Sequence, residues 1–404
     1  MKYGSPENAS NTLGVYTFKK RGIVLMSNNL IIAKQLVKEY LSNNDENDKK
    51  LKLIYLYSNF TCNEGCRYCW IDENNTKKKF VLSKRFVKGF IDEAITLGVS
   101  KIKISGGEPF LNKEMPDIID LLLDIGLSVE IETNGTLLSE PMVKKMAVKA
   151  EKIHFKVSLD SSNQNIQNEI TGYKSAFEDT INGLNILRRN KIPFDVVTVA
   201  SQLNIDNIEE LIAFVKTMGA HHHRIILNLQ PIGHGKENAD INLKLSDIKR
   251  LMDLIYNKRL IDVDFGTLHS TLPPAFIPID HLKLSFCSWG KGMCGIMPNG
   301  DVSICSPAFE TMGIVAGNLH NKTITEIWRE SGLFNELRQI QELEGVCGIC
   351  VFRKACRGMC RIFASAKYGS LKSPYPFCQE MYEKRLFPEC YLEHPENSEI
   401  VSNI

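Results

Sequence analysis

From Leu51 to Leu229 the hydrophobic and polar positions keep a two-beat rhythm. The apolar run "LKLIYLYS", Leu51 to Ser58, has the length and content of a buried strand. After a polar loop, Ser83 to Leu97 reads as a helix, with Ser83 placed to cap it. The unit then repeats. Strand "KIKIS" leads to a helix from Lys113, "SVEIET" to one from Pro141, "IHFKVSL" to one from Ala176, "FDVVTVA" to one from Ile208, and "RIILNL" to one from Ser246. Six strand-helix units in strict alternation predict an α/β fold: a parallel sheet with right-handed crossovers, curled into a partial (β/α)6 TIM-like barrel. Gly, Asn and Pro gather after the strands in "SGGEP", "TNGT" and "LQPIGHG", where barrel enzymes assemble their sites.

The flanks differ. Residues 1–50 offer a strand, "GIVLM", then an amphipathic helix with Ile32, Leu36, Val37, Tyr40 and Leu41 on one stripe, and end in the linker-like "SNNDENDKK". The barrel is expected over 51–280. Beyond it the rhythm breaks, and residues 281–390 are expected to form a small cysteine-rich domain held partly by metal, with 391–404 as a tail.

Composition narrows the function. The 404 residues carry a formal net charge of +2, so no global field favours nucleic acid or an anionic membrane. The start, "MKYGSPENAS", lacks an apolar signal region, and no run approaches the ~18 apolar residues of a spanning helix. A cytoplasmic location is the expectation. There thiols stay reduced, so 12 cysteines, nine of them between Cys287 and Cys390, point to metal ligation rather than disulfides.

Three cysteines, Cys62, Cys66 and Cys69, lie in "NFTCNEGCRYCW" directly after the first barrel strand, with Gly65 allowing a tight wrap. A 4Fe-4S cluster normally takes four thiolates, so three local ligands leave one iron open. A structural zinc site with a distant fourth ligand is the alternative, but zinc ribbons sit on hairpins, not at a barrel mouth. CxxxCxxC with Tyr68 before the last cysteine resembles the radical S-adenosylmethionine (radical SAM) family. The resemblance implies that the open iron chelates SAM and that an electron from the cluster cleaves it to a 5'-deoxyadenosyl radical.

Other strand ends fit that resemblance. Gly106, Gly107 and Glu108 are similar to the family's GGE motif, which implies that this turn holds the SAM amine, with the carboxylate as an acceptor. Ser158, with Asp160 in "VSLD", resembles the place of a ribose contact, though a serine merely satisfied at a strand end reads equally well. "TNGTLL", Thr133 to Leu138, matches the family pattern and is expected only to shape the pocket floor. His221 to His223 are discounted as a metal site, because adjacent side chains diverge.

The C-terminal cysteines add a second pattern. Cys347, Cys350, Cys356 and Cys360 form CxxCxxxxxCxxxC, with Cys287, Cys294 and Cys305 upstream and Cys378 downstream. This order resembles the SPASM extension of radical SAM enzymes, which implies two auxiliary 4Fe-4S clusters. The first would take Cys287, Cys305 and Cys360, with Cys294 the candidate for the missing ligand or an open iron in its place. The second would take Cys347, Cys350, Cys356 and Cys378. Cys390 is left over as a free thiol. A zinc-only domain is the competing account.

SPASM members modify peptides and proteins, so the expected activity is maturation of a ribosomally made precursor peptide by crosslinking or epimerisation; "LQPIGHGKEN" resembles a loop common in such members. An epimerase needs a thiol to return hydrogen, for which Cys294 and Cys390 are the candidates. Expected partners are the precursor peptide and a flavodoxin- or ferredoxin-type reductant; because only about 50 residues precede the barrel, leader recognition is either reduced, provided by a separate leader-binding protein, or absent. A sulfatase-maturing oxidase is the lower-ranked reading, since Ser306 stands where that group places Asp after the cysteine corresponding to Cys305. Heme-type cofactor biosynthesis is a further one, and a non-enzymatic electron-transfer protein the last.

Overall fold

Six parallel strands lie side by side in chain order: β1 (Leu53–Tyr57), β2 (Lys101–Ser105), β3 (Ser128–Thr133), β4 (Ile153–Ser158), β5 (Phe194–Val199) and β6 (His223–Ile226). The computed structural model describes residues 22–44, 50–71, 80–227, 232–257, 269–270, 272–340 and 342–393. Leu229, Gln230 and Pro231 of the loop after β6, and all but the first residues of the C-terminal tail, lie outside these.

Strand periodicity sorts the side chains. On β4, Ile153, Phe155 and Val157 are buried in the apolar core, while His154, Lys156 and Ser158 face the other way and are half-buried. That inner face carries charges across neighbouring strands. Glu130 on β3 receives Lys103 at 2.8 Å and Lys156 at 2.7 Å on one oxygen, and Lys101 at 2.5 Å on the other. Burial alone would raise the Glu130 carboxyl, but Lys103 and Lys156 hold it well below the usual carboxylate range.

The helices pack as their sequences direct. Ser83 Oγ accepts from the Phe86 N–H at 3.2 Å, capping the helix Lys84–Thr96, whose Val87, Phe90, Ile91 and Ala94 are buried. Gly183 lets the helix Ala176–Arg189 sit on the turn after β3, where an added Cβ would lie 2.2 Å from the Gly135 carbonyl oxygen.

Two parts of the fold depart from the sequence reading. The sheet does not stop at six strands: β7 (His269–Ser270) adds parallel to β6, and β8 (Met293–Ile296) pairs parallel with β1. β9 (Asp301–Ser303) and β10 (Gly317–Asn318) follow antiparallel, so the open ten-stranded sheet runs β10-β9-β8-β1-β2-β3-β4-β5-β6-β7. The cysteine-rich part is thereby an extension of the barrel sheet. Near the N-terminus, "GIVLM" is not a strand but the start of the helix Gly22–Asn43, for a short apolar run fits either element. Tyr40 of that helix meets Phe286 edge-on at 5.5 Å. Among the described residues no helix is long and apolar enough to cross a membrane.

One buried base predicts a pH effect. Thr198 Oγ1 gives its proton to the Leu159 carbonyl at 2.6 Å, so it accepts from His223 Nε2 at 2.8 Å, and His223 Nδ1 has no partner. Burial holds this imidazole down at about 3. Between that value and the ~6.5 of an unfolded chain, only the unfolded state binds the proton, so stability falls as pH drops. We expect the fully folded protein to lose about 2 kcal/mol more than His223→Gln between pH 7.5 and pH 5, read from urea midpoints; parallel losses would contradict this.

Candidate active site

The loop after β1 is clamped from two sides. On one side the Gly107 N–H reaches Asn59 O at 2.9 Å, the Glu108 N–H reaches Thr61 O at 2.8 Å, and Asn59 Nδ2 donates to Glu108 O at 2.9 Å. On the other, the N–H groups of Gly65 and Arg67 reach Thr171 O and Ile170 O at 2.8 and 3.0 Å. No Cβ fits at the glycine turn: at Gly107 it would stand 1.9 Å from Thr61 O, and at Gly106, with φ +138, 2.6 Å from Asn59 O. The two glycines set the cysteine loop. Gly107→Ala should therefore displace it, and reconstituted protein should lose most of the iron bound by the loop while the C-terminal iron stays; an unchanged iron count would contradict the clamp.

Cys62, Cys66 and Cys69 are electrostatic neighbours on this loop. Burial pushes the Cys62 thiol up to about 12 and raises the other two, so these sulfurs become thiolates only beside a compensating positive charge such as a metal. Donors are aimed at them. The Glu64 N–H points to Cys62 at 3.4 Å, and the N–H groups of Trp70 and Ile71 to Cys69. Glu64, which the sequence reading passed over, turns its carboxyl toward Cys66 at 3.4 Å; burial raises it to about 8, and its second oxygen is buried without a partner. Asn134 was missed too: its Nδ2 lies 3.8 Å from the Cys62 sulfur and 3.0 Å from Asn63 Oδ1, so "TNGT" reaches the cysteine loop rather than only flooring the pocket.

Glu108, expected to receive the SAM amine, is engaged within the fold. Its side chain is 0% exposed, and its carboxylate accepts from the Phe110 N–H (3.0 Å), the Asn134 N–H (3.0 Å) and the Thr133 hydroxyl (2.8 Å). Burial raises it to about 7. It ties the end of β2 to the end of β3. Tyr68 donates to Asp160 Oδ2 at 2.6 Å, and Asp160 Oδ1 accepts from the Val199 N–H at 2.8 Å; burial raises Asp160 to about 6. Tyr68 thus fastens the loop across the barrel mouth, beside half-buried Ser158.

The C-terminal thiols fall into two sets. Cys287, Cys305 and Cys360 act on one another, and Cys347, Cys350, Cys356 and Cys378 form the second group. Backbone N–H groups again face sulfur: Trp289 to Cys287, Ala308 to Cys305, Tyr375 to Cys347 at 3.3 Å, Gly358 and Met359 to Cys356, and Ile362 and Phe363 to Cys360. The four thiols of the second set line one small apolar cavity of about 20 Å3. Among the described residues no three His, Cys, Asp or Glu side chains converge as one metal ion requires. Donors on sulfur and thiols spread around a cavity fit clusters, whose thiolates bind separate irons.

Cys294 belongs to neither set. On β8 its neighbour Gly295 faces the site, where a Cβ would lie 3.0 Å from Cys305 Cα and 3.1 Å from the Tyr57 ring. Strand alternation turns Cys294 to the opposite face, 0% exposed in the core, with Arg338 as its charged neighbour. Cys294 thus stands on the core side of β8. Cys390 is half-buried in the turn Glu389–Tyr391, pushed by burial to about 11, and is not brought to the barrel mouth.

A fold of this kind, with an open cysteine triad at the strand ends and a cysteine-rich extension of the sheet, defines a class of iron-sulfur enzyme. Residues 57–215 match the model of the radical SAM superfamily and residues 287–351 that of SPASM, an iron-sulfur cluster-binding domain; together these cover more than half of the chain, which belongs to the radical SAM/SPASM family. Its cofactors are SAM with a 4Fe-4S cluster, and auxiliary clusters. The chain is 29% identical over 335 residues to the AdoMet-dependent heme synthase of Methanosarcina barkeri, covering 78% of this chain and 93% of that one. It is 27% identical over 329 residues to the mycofactocin maturase MftC of Mycolicibacterium smegmatis, covering 80% and 81%. In fold it is similar to Streptococcus suis SuiB bound to its precursor peptide SuiA, with a TM-score of 0.66 and 16% identity over 84% of this chain and 78% of that one.

Proposed function

We propose that this radical SAM/SPASM enzyme modifies a peptide, as a maturase of a ribosomally made precursor. The triad Cys62, Cys66 and Cys69 holds the SAM-binding cluster, Cys287, Cys305 and Cys360 the first auxiliary cluster, and Cys347, Cys350, Cys356 and Cys378 the second. When bound, SAM and its cluster supply a 5'-deoxyadenosyl radical, which removes hydrogen from carbon. The observation that carries the reading is the row of aromatic rings that links the triad loop to the first auxiliary set. Trp70, next to Cys69, meets Tyr57 edge-on at 6.0 Å; Tyr57 stacks on Tyr55 at 5.9 Å, and the Tyr55 hydroxyl donates to Glu132 at 3.2 Å. Tyr57 is only 4% exposed and receives the Ser306 N–H beside Cys305. Aromatic rings that end on a carboxylate suit the mixed apolar and polar groups of a peptide. The likeness to MftC, named a maturase, supports the same substrate class.

A second reading, synthesis of heme, is favoured by the 29% likeness to a heme synthase over nearly its whole length. The sulfatase-type reading gains nothing: Ser306 Oγ is buried without a partner, and no carboxylate replaces it in the chain position after Cys305. The test is anaerobic reconstitution with SAM, a flavodoxin- or ferredoxin-type reductant and, in parallel, short peptides encoded beside the gene and an iron tetrapyrrole precursor. Deoxyadenosine formed with a mass change on a peptide supports maturation, with a leader-binding protein added where the peptide alone does not react. Heme absorbance in the tetrapyrrole arm alone would establish the second reading.

A further inference from the structure

A buried arginine lies among the auxiliary thiols. Arg361 follows Cys360 and is only 2% exposed. Its Nη1 donates to Ser373 O at 2.6 Å and to Leu371 O at 3.2 Å, and its Nη2 donates to Gly358 O. Gly358 lines the four-thiol cavity, and the guanidinium lies flat on it, so that a Cβ there would meet Arg361 Cζ at 2.5 Å. Cys347 is among the charged neighbours of the guanidinium, and its Nε is buried without a partner.

Three carbonyls orient this cation without neutralising it. The ionisable groups that act on it most strongly are Cys347, Cys356, Cys360 and Cys378, which are members of both thiol sets. A guanidinium keeps its charge, and an uncompensated charge in a protein interior is costly, so the site calls for an anion. Protonated thiols cannot provide one. A cluster carrying four thiolates does, because its net charge is negative and becomes more so with each electron taken up.

We infer that Arg361 is the fixed counter-charge of the auxiliary clusters, acting as a positioning residue that holds their reduction potentials up, the second cluster's most. The inference rests on the assignment of these thiols to clusters. Because the cation sits between the sets, it favours the reduced form of either cluster, while the SAM-binding triad, whose thiols are not among the groups that act on Arg361, is outside its reach.

The test uses full-length, anaerobically reconstituted protein without substrate: wild type, Arg361→Lys and Arg361→Gln. Each is titrated with dithionite and followed by electron paramagnetic resonance, with iron and sulfide counted. In Arg361→Gln the auxiliary signals should move to lower potential while the SAM-responsive signal stays, and Arg361→Lys should restore most of the shift. Should Arg361→Gln fail to assemble auxiliary clusters, assembly in Arg361→Lys with near wild-type potentials supports the charge; failure of both would assign the residue to folding alone and overturn it. Unshifted auxiliary potentials in Arg361→Gln, or an equal shift of all signals, would overturn it as well. Wild-type protein holding zinc in place of auxiliary iron would instead sink the cluster assignment itself.

Discussion

Cys62→Ala is expected to abolish SAM cleavage outright, with no deoxyadenosine above background. Cys62 is one of only three thiols on the loop, and Cys294, on the strand that pairs with β1, faces the opposite side of the sheet from Gly295, so it does not stand ready to replace Cys62. The auxiliary sets share no cysteine with the triad and their iron should remain. Chromatographic assay of deoxyadenosine with iron counting checks both halves. Turnover in the variant, even at a hundredth of the wild-type rate, would mean that the cluster is held elsewhere.

Glu108→Ala carries the second large effect, and it separates two views of the GGE turn. The substitution leaves the N–H groups of Phe110 and Asn134 and the Thr133 hydroxyl without their acceptor in a fully buried place. At about 1–3 kcal/mol for each orphaned group, the loss should be at least about 3 kcal/mol, a large part of a typical domain's stability. Glu108→Gln keeps one acceptor oxygen but sets an amide NH2 against an N–H, and should fall between. Thermal unfolding gives the order. If Glu108→Ala melts like the wild type and only binds SAM more weakly, the carboxylate meets the amine after all.

That contrast shows where the sequence was readable. The three triad cysteines lie within eight residues of one another on a loop that follows its strand, so the motif that carries the family resemblance was legible in one short stretch. The auxiliary thiols, though far apart, follow an order specific enough to group them as the structure does. The partners of the Glu108 carboxylate were not legible, because Thr133 and Asn134 come from the end of β3, a neighbour that no local pattern names. The placement of Cys294 was hidden for a related reason. Its orientation depends on β8 pairing with β1, a contact some 240 residues apart in the chain, and a one-residue step on a strand exchanges site for core. The same pairing hid the sheet's extension, since β8, β9 and β10 are too short to announce themselves. Arg361 carries no signal in the sequence beyond its place after a cysteine; what marks it is burial among thiols without a carboxylate.

The account stands on a cluster at the barrel mouth with one iron free for SAM. Electron paramagnetic resonance of dithionite-reduced, oxygen-free protein, recorded with and without SAM, tests it most directly. The expected result is a 4Fe-4S signal that changes shape when SAM is added and is missing from Cys62→Ala. A signal that ignores SAM, or protein that binds only zinc, would contradict it.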